Sequence, residues 1–201
     1  MPHPPLNDDL AWARHLSLVA PRIYVSGELQ GWDKEQRDHL DEWVKAGITT
    51  YLDLRGEAND AEFVREHSPH IRYHTLGVID DGESRDHRWF ESGTGIVSNA
   101  LDSGSDNVLI GCSMGISRST SMAFAVLISR GYEPLDALKS IHSARPVATF
   151  LYAMDALDWW HKRQGIQIGD TVTMRQEIIK WLAEETSLPY WVIAHETGQY
   201  R

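Results

Sequence analysis

A lone cysteine sits where an apolar run meets a helix-forming run, and that junction constrains the fold more than any other feature of the chain. Residues 107–131 read NVLIGCSMGISRSTSMAFAVLISRG. Val108, Leu109 and Ile110 are a short, partly β-branched apolar run of the kind that forms a buried strand. Met122, Phe124, Ala125, Leu127 and Ile128 predict a largely buried helix that stops at Gly131. The turn between them, Cys112 to Ser119, aims backbone N–H groups and the positive end of a helix dipole at one point. Such a point attracts an anion before any side chain is considered.

The side chains add chemistry to that point. Cys112 falls at the base of the turn, where a helix N-terminus and a guanidinium favour a thiolate. Arg118, in the first helical turn, can fork two N–H groups onto two oxygens of one phosphate, which a lysine cannot do. Gly115 permits the positive φ and the close backbone approach that a tight anion cradle needs. Ser113, Met114, Gly115, Ile116 and Ser117 contribute mainly through their backbone N–H groups. Together these residues describe a phosphate held over a sulfur nucleophile. A buried structural cysteine beside a helix-capping Ser117 would account for less, because it leaves a cation at a helix start, where the dipole disfavours it.

The segment resembles the active-site loop of the cysteine-dependent protein tyrosine phosphatases, Cys-x5-Arg-Ser/Thr. Gly115-Ile116-Ser117-Arg118-Ser119 matches the Gly-x-Ser-Arg-Ser of their dual-specificity branch. The resemblance covers about residues 20 to 160. It implies the protein tyrosine phosphatase-like fold and phosphomonoester hydrolysis through a cysteinyl-phosphate, without metal or other cofactor. It also implies a role for Ser119, whose hydroxyl would stabilise the departing thiolate. The family takes a general acid from a loop about thirty residues before its cysteine. Asp80 and Asp81 lie there, after the strand pattern that ends near Val78, and matching that strand puts Asp80 at the acid's position. The chain departs from the family in having Gly111 where a histidine usually precedes the cysteine. It departs again after Arg145-Pro146, where Ala148-Thr149 replaces the usual Pro-Asn, so only packing is assigned there.

Alternating strand and helix patterns surround the turn. Arg22–Val25, Ile48–Leu54 and Ile71–Val78 read as strands. Helices are expected from an Asp33 N-cap through Lys45, over Ala58–Glu66, His87–Leu101, Glu133–Ala144, Phe150–Arg163 and Thr171–Glu185. Residues 1–20 read as irregular, with a short helix possible over Leu10–Leu18. The pattern predicts an α/β fold: a central, mostly parallel sheet of four to five strands with helices on both faces and ligands at the carboxyl ends of the strands. A phosphatase domain over 1–165 is expected, followed by a helical extension over 166–201 that packs back on it.

Composition bounds the partners. A net charge of −10 argues against broad binding to nucleic acid or anionic lipid. One cysteine excludes an internal disulfide and suits a reducing compartment, and no apolar run approaches the ~20 residues of a membrane span. No signal-peptide apolar region is evident in the first 30 residues, so a cytoplasmic location is expected. The substrate expected is a phosphorylated protein or small phosphomonoester, phosphotyrosine above a phosphoinositide because residues 113–117 contain no Lys or Arg. The oligomeric state is left open. His67, His70 and His74 are closely spaced, but no cysteine or carboxylate completes a zinc set. Trp159 and Trp160 read as core. Arg55 is either a rim residue of the site or a surface salt-bridge partner. A non-catalytic phospho-binding module and, less readily, a sulfur-transfer enzyme remain as alternatives.

Overall fold

The computed structural model describes residues 15–29 and 34–186. The expected Asp33 cap and residues 10–14 of the possible N-terminal helix lie outside them. Within them the chain runs β1 (Ser17–Ala20), β2 (Ile23–Ser26), α1 (Lys34–Lys45), β3 (Ile48–Arg55), α2 (Ala61–His67), β4 (Arg72–Val78), α3 (His87–Asp102) and β5 (Asn107–Gly111). There follow α4 (Arg118–Ser129), α5 (Pro134–Ala144), α6 (Ala153–Gln164), a 3-10 turn (Ile168–Thr171) and α7 (Val172–Glu185).

The five strands form one sheet in the order β1-β2-β5-β3-β4. β2, β5, β3 and β4 are parallel, and β1 is antiparallel to β2 at the edge. The expected mostly parallel α/β architecture is what the chain adopts. β1 is the addition. Residues 17–20 pair with β2 instead of joining a helix, because a four-residue edge strand carries too short an alternation to stand out in sequence.

Period-two alternation explains how the sheet holds two cores. Val108 and Ile110 of β5 face one side with Val25, Leu52 and Leu54, under α3, α4, α5 and α6. Leu109 faces the other side with Tyr51 and, because the register of β3 shifts between Ile48 and Thr50, with Ile48 too, under Leu40 and Trp43 of α1 and Val64 of α2. α4 is buried all round, Ser129 alone excepted, and its residues Met122 to Ile128 form the axis of the larger layer. Each large apolar side chain it removes from water stabilises the fold by roughly 1.5–3 kcal/mol. α3 crosses it at Gly93, where an added Cβ would press on Met122.

Two helices, α2 and α6, start well after the positions the sequence indicates. α2 begins at Ala61, because Asp60 is drawn into an ion pair with Arg55 and its N–H bonds Tyr73 Oη. α6 begins at Ala153, after Phe150 adopts a positive φ of 54° that no helix can include. Beyond α6, Ile178 of α7 is buried in the larger core, and Trp181 packs against Phe150 and His142. Among the described residues no helix is long and apolar enough to cross a membrane, and no group of three or more His, Cys, Asp or Glu side chains is placed to hold a metal.

Candidate active site

β5 ends at Gly111 and α4 starts at Arg118, so the turn between them opens at the carboxyl edge of the sheet, where the topology rule puts a ligand. Its carbonyls are tied outward one after another. Glu28 N donates to Ser113 O at 3.0 Å, Arg145 Nη2 to Met114 O at 2.9 Å, Arg145 Nε to Gly115 O at 2.5 Å, and Thr149 N to Ile116 O at 3.0 Å. In a planar trans peptide the N–H points opposite to the preceding C=O. Four carbonyls turned into the protein therefore turn the N–H groups of Met114, Gly115, Ile116 and Ser117 the other way, as a nest for an anion. None of the four has a hydrogen-bond partner among the described residues.

Arg145 is the brace of this arrangement. It is buried and also donates to His15 O and Ser17 Oγ, at 3.0 and 3.2 Å. Burial pulls its pKa down to about 10, opposed by attraction to Cys112. Gly115 has φ +68°, and a Cβ there would lie 2.4 Å from Arg145 Nη2 and 2.6 Å from the backbone of Ser26, so only glycine fits between loop and brace. The space beside Gly111 is filled from the next strand: a Cβ there would meet Tyr51 Oη at 2.5 Å. The larger side chain usual before the cysteine in the resembling family is thus displaced by Tyr51, whose hydroxyl is buried without a hydrogen-bond partner.

The pocket above the turn has a volume of about 590 Å³ and brings together Cys112, Ser113, Met114, Ile116, Ser117 and Arg118 with Asp80, which comes from the loop after β4. Cys112 Sγ lies 3.3 Å from Ser119 Oγ, at the foot of α4. Arg118 is only 3% exposed. Its Nη1 and Nη2 hold both oxygens of Glu57 at 2.7 Å each, and Nη1 also donates to Val78 O at 2.8 Å. Burial works against the guanidinium's charge, yet the hydrogen bonds to Glu57 and the charges of Cys112 and Asp80 outweigh it and raise the pKa above its ordinary value. Nε lies 3.2 Å from Asp80 Oδ2 but lacks the alignment of a hydrogen bond, and its N–H is unpartnered. Of five guanidinium N–H donors, the Nε–H and one on Nη2 stay free, and these lie on one edge. Glu57 grips the end of the fork, and the side, with Asp80 beside it, keeps its donors without a hydrogen bond.

Asp80 Oδ1 accepts from Tyr152 Oη at 2.6 Å and from Ser117 Oγ at 3.1 Å. Asp81 points elsewhere, to Glu83 N and Arg85, and does not line the pocket. Arg55 is neither at the rim nor on the surface: it is buried against Asp53, Asp60 and Glu28. Glu57, Tyr152 and the bracing part of Arg145 are absent from the sequence reading. Each partners a residue 30 to 72 positions away, a separation at which spacing carries no signal.

No family model matches the sequence. Solved structures do match. Human DUSP28 is 21% identical, with a TM-score of 0.60, over 74% of this chain and 95% of that one. A mouse putative dual specificity phosphatase, complexed with zinc tungstate, is 22% identical with a TM-score of 0.62, over 75% and 89%. The human tyrosine phosphatase-like serine/threonine/tyrosine-interacting protein is 18% identical with a TM-score of 0.58, over 73% and 95%. The fold is therefore that of the dual-specificity branch of the cysteine-dependent phosphatases, as the Cys-x5-Arg resemblance implies.

Proposed function

We propose that the protein is a cysteine-dependent phosphomonoesterase acting on phosphotyrosine, and on phosphoserine or phosphothreonine where the pocket admits them. The observation that carries this is the Nε/Nη2 edge of Arg118, buried and without a hydrogen bond, in a residue that lines the same pocket as Cys112 and Asp80. Two equatorial phosphate oxygens fit that edge, and the loop N–H groups take the rest of the charge, which is the stabilisation that metal phosphatases draw from ions.

Cys112 Sγ attacks phosphorus in line. The S–P bond forms as the ester P–O bond breaks, and Asp80 passes its proton to the leaving oxygen. Asp80, now a carboxylate, takes a proton from water as that water attacks phosphorus and expels the thiolate, towards which the Ser119 hydroxyl donates. A lone nucleophilic thiol of this kind fits a reducing, cytoplasmic setting.

The mouth supports an aryl ester over a phosphoinositide. Ile79 and Leu151 line it at 56% and 53% exposure, and Arg118 is the only cation among the lining residues. A second reading, a phospho-binding module without turnover, is favoured by Gly111 in place of histidine and by the fold's likeness to the phosphatase-like interacting protein.

Hydrolysis of phenyl phosphate and a phosphotyrosyl peptide in EDTA separates the two. The phosphatase reading predicts turnover that survives chelation and falls by at least about 10⁴-fold in Cys112→Ser. Asp80→Asn is expected to lose about 10²–10⁴-fold on phenyl phosphate, and Asp81→Asn to stay near wild type. Phosphate binding with no turnover would favour the binding module, and turnover that survives Cys112→Ser would defeat the nucleophile assignment.

A further inference from the structure

The loop from Ile79 to Asp86 is fastened to the start of α6 at four points. Gly82 N donates to Tyr152 Oη at 3.3 Å, and Tyr152 Oη donates to Asp80 Oδ1 at 2.6 Å. Ser84 Oγ and Arg85 N both donate to Asp155, at 2.8 Å each. The Arg85 guanidinium also lies over the Tyr152 ring, 4.6 Å from its centroid. Tyr152 is itself immobilised: it is buried, its N–H bonds Ser121 Oγ of α4 at 3.1 Å, and Trp89 meets its ring edge-on. Tyr152 thus joins the loop that carries Asp80 to the helix that carries Arg118.

From this geometry we propose that Tyr152, supported by Asp155, is a positioning residue for the general acid, and that it fixes which oxygen of Asp80 carries the proton. The proposal rests on the phosphatase reading above. The Gly82 N–H occupies the tyrosine oxygen from one side and turns the hydroxyl proton towards Asp80. With Tyr152 and Ser117 both donating to Oδ1, that oxygen is kept an acceptor, and a proton on the carboxyl group belongs on Oδ2. Oδ2 is the oxygen 3.2 Å from Arg118 Nε, beside the edge that takes the equatorial oxygens, from where it can reach the apical leaving oxygen. Removing the tyrosine hydroxyl frees the carboxyl to rotate and its proton to settle on the wrong oxygen. Burial and the bond to Asp80 push the tyrosine's own pKa up to about 12, so the phenol keeps its proton through the neutral range.

The test compares esters that need the acid with esters that do not. Phenol has the pKa of a tyrosine side chain, about 10, and must be protonated as it leaves, whereas nitrophenolate leaves readily without a proton. Tyr152→Phe keeps the ring in the core and removes only the hydroxyl. It is expected to lower kcat for phenyl phosphate about tenfold and for nitrophenyl phosphate less than about twofold, and to add little to the loss of Asp80→Asn. Equal losses on both esters, no loss on either, or losses that add to Asp80→Asn overturn the proposal. Amide exchange gives a readout that needs no turnover: exchange at Gly82 is expected to rise in Tyr152→Phe and at Arg85 in Asp155→Asn. Unchanged protection at both overturns the latch. A wild-type protein inactive on both esters, or a Cys112→Ser variant that is active, would instead defeat the phosphatase reading.

Discussion

Arg55, at the end of β3, and Arg118, at the start of the helix that follows β5, are both almost fully buried and both bound by carboxylates, yet only Arg55 has the side of its fork hydrogen-bonded as well as its tips. Asp53 takes the side of the Arg55 fork, at 2.9 Å from Nε and 2.7 Å from Nη2, while Asp60 and Glu28 take its tips at 2.6 and 2.5 Å. No edge is left for a ligand. At Arg118 the tips go to Glu57 and Val78, and the side makes no hydrogen bond, although Asp80 Oδ2 lies 3.2 Å from Nε. A buried guanidinium is therefore not itself the mark of a site. The unfilled, paired donors are, because a buried N–H without a partner costs about 1–3 kcal/mol that an arriving anion recovers.

The contrast can be broken at either arginine. Arg55→Met strips the cation from buried carboxylates and is expected to lower stability by about 3–5 kcal/mol in thermal unfolding, while the folded fraction keeps its KM. That loss should shrink as the pH falls, because the uncompensated carboxylates then take up protons. Burial already raises the pKa of Asp60 in the intact protein. Arg118→Lys should do the reverse, leaving the unfolding transition near wild type and lowering kcat/KM about 10²–10³-fold, since a lysine cannot present the two-donor edge.

Smaller changes sharpen the comparison. Gly115→Ala forces a side chain into a positive-φ position against Arg145 and is expected to cost about 1–3 kcal/mol together with most of the activity, read by melting and steady-state rates. Glu57→Gln weakens the grip that leaves the Arg118 side edge free. The hydrogen bond from Arg118 lowers the Glu57 pKa below 4.5 in the folded protein, so its stabilisation is complete above that value and disappears as the pH falls through the lowered one. With the Glu57 side chain 43% exposed, solvent screens the pair, and the variant should lose less than about 1 kcal/mol at neutral pH and nothing at low pH.

The turn itself was legible in sequence because everything it needs is local: a strand, a glycine, an arginine at fixed spacing and a helix lie within 25 residues. As a candidate acid Asp80 was legible only through resemblance, since no spacing rule of physics ties it to Cys112; what the fold adds is placement, Tyr152 and Ser117 bonding Asp80 into the pocket that Asp81 does not line. Glu57 and Tyr152 were invisible for the same reason. Arg55 was seen but not resolved, because its three carboxylates come from two strand ends and a loop that only the folded sheet brings together. β1 escaped because an edge strand of four residues has no pattern long enough to read.

An anion bound over Cys112 would take the side edge of Arg118. Calorimetric titration of inorganic phosphate into Cys112→Ser protein, with and without Arg118→Lys, tests it without turnover. One site per chain is expected, weakened about ten- to hundredfold by the lysine, a change of roughly 1.4–3 kcal/mol. Equal affinity in the two proteins would contradict it.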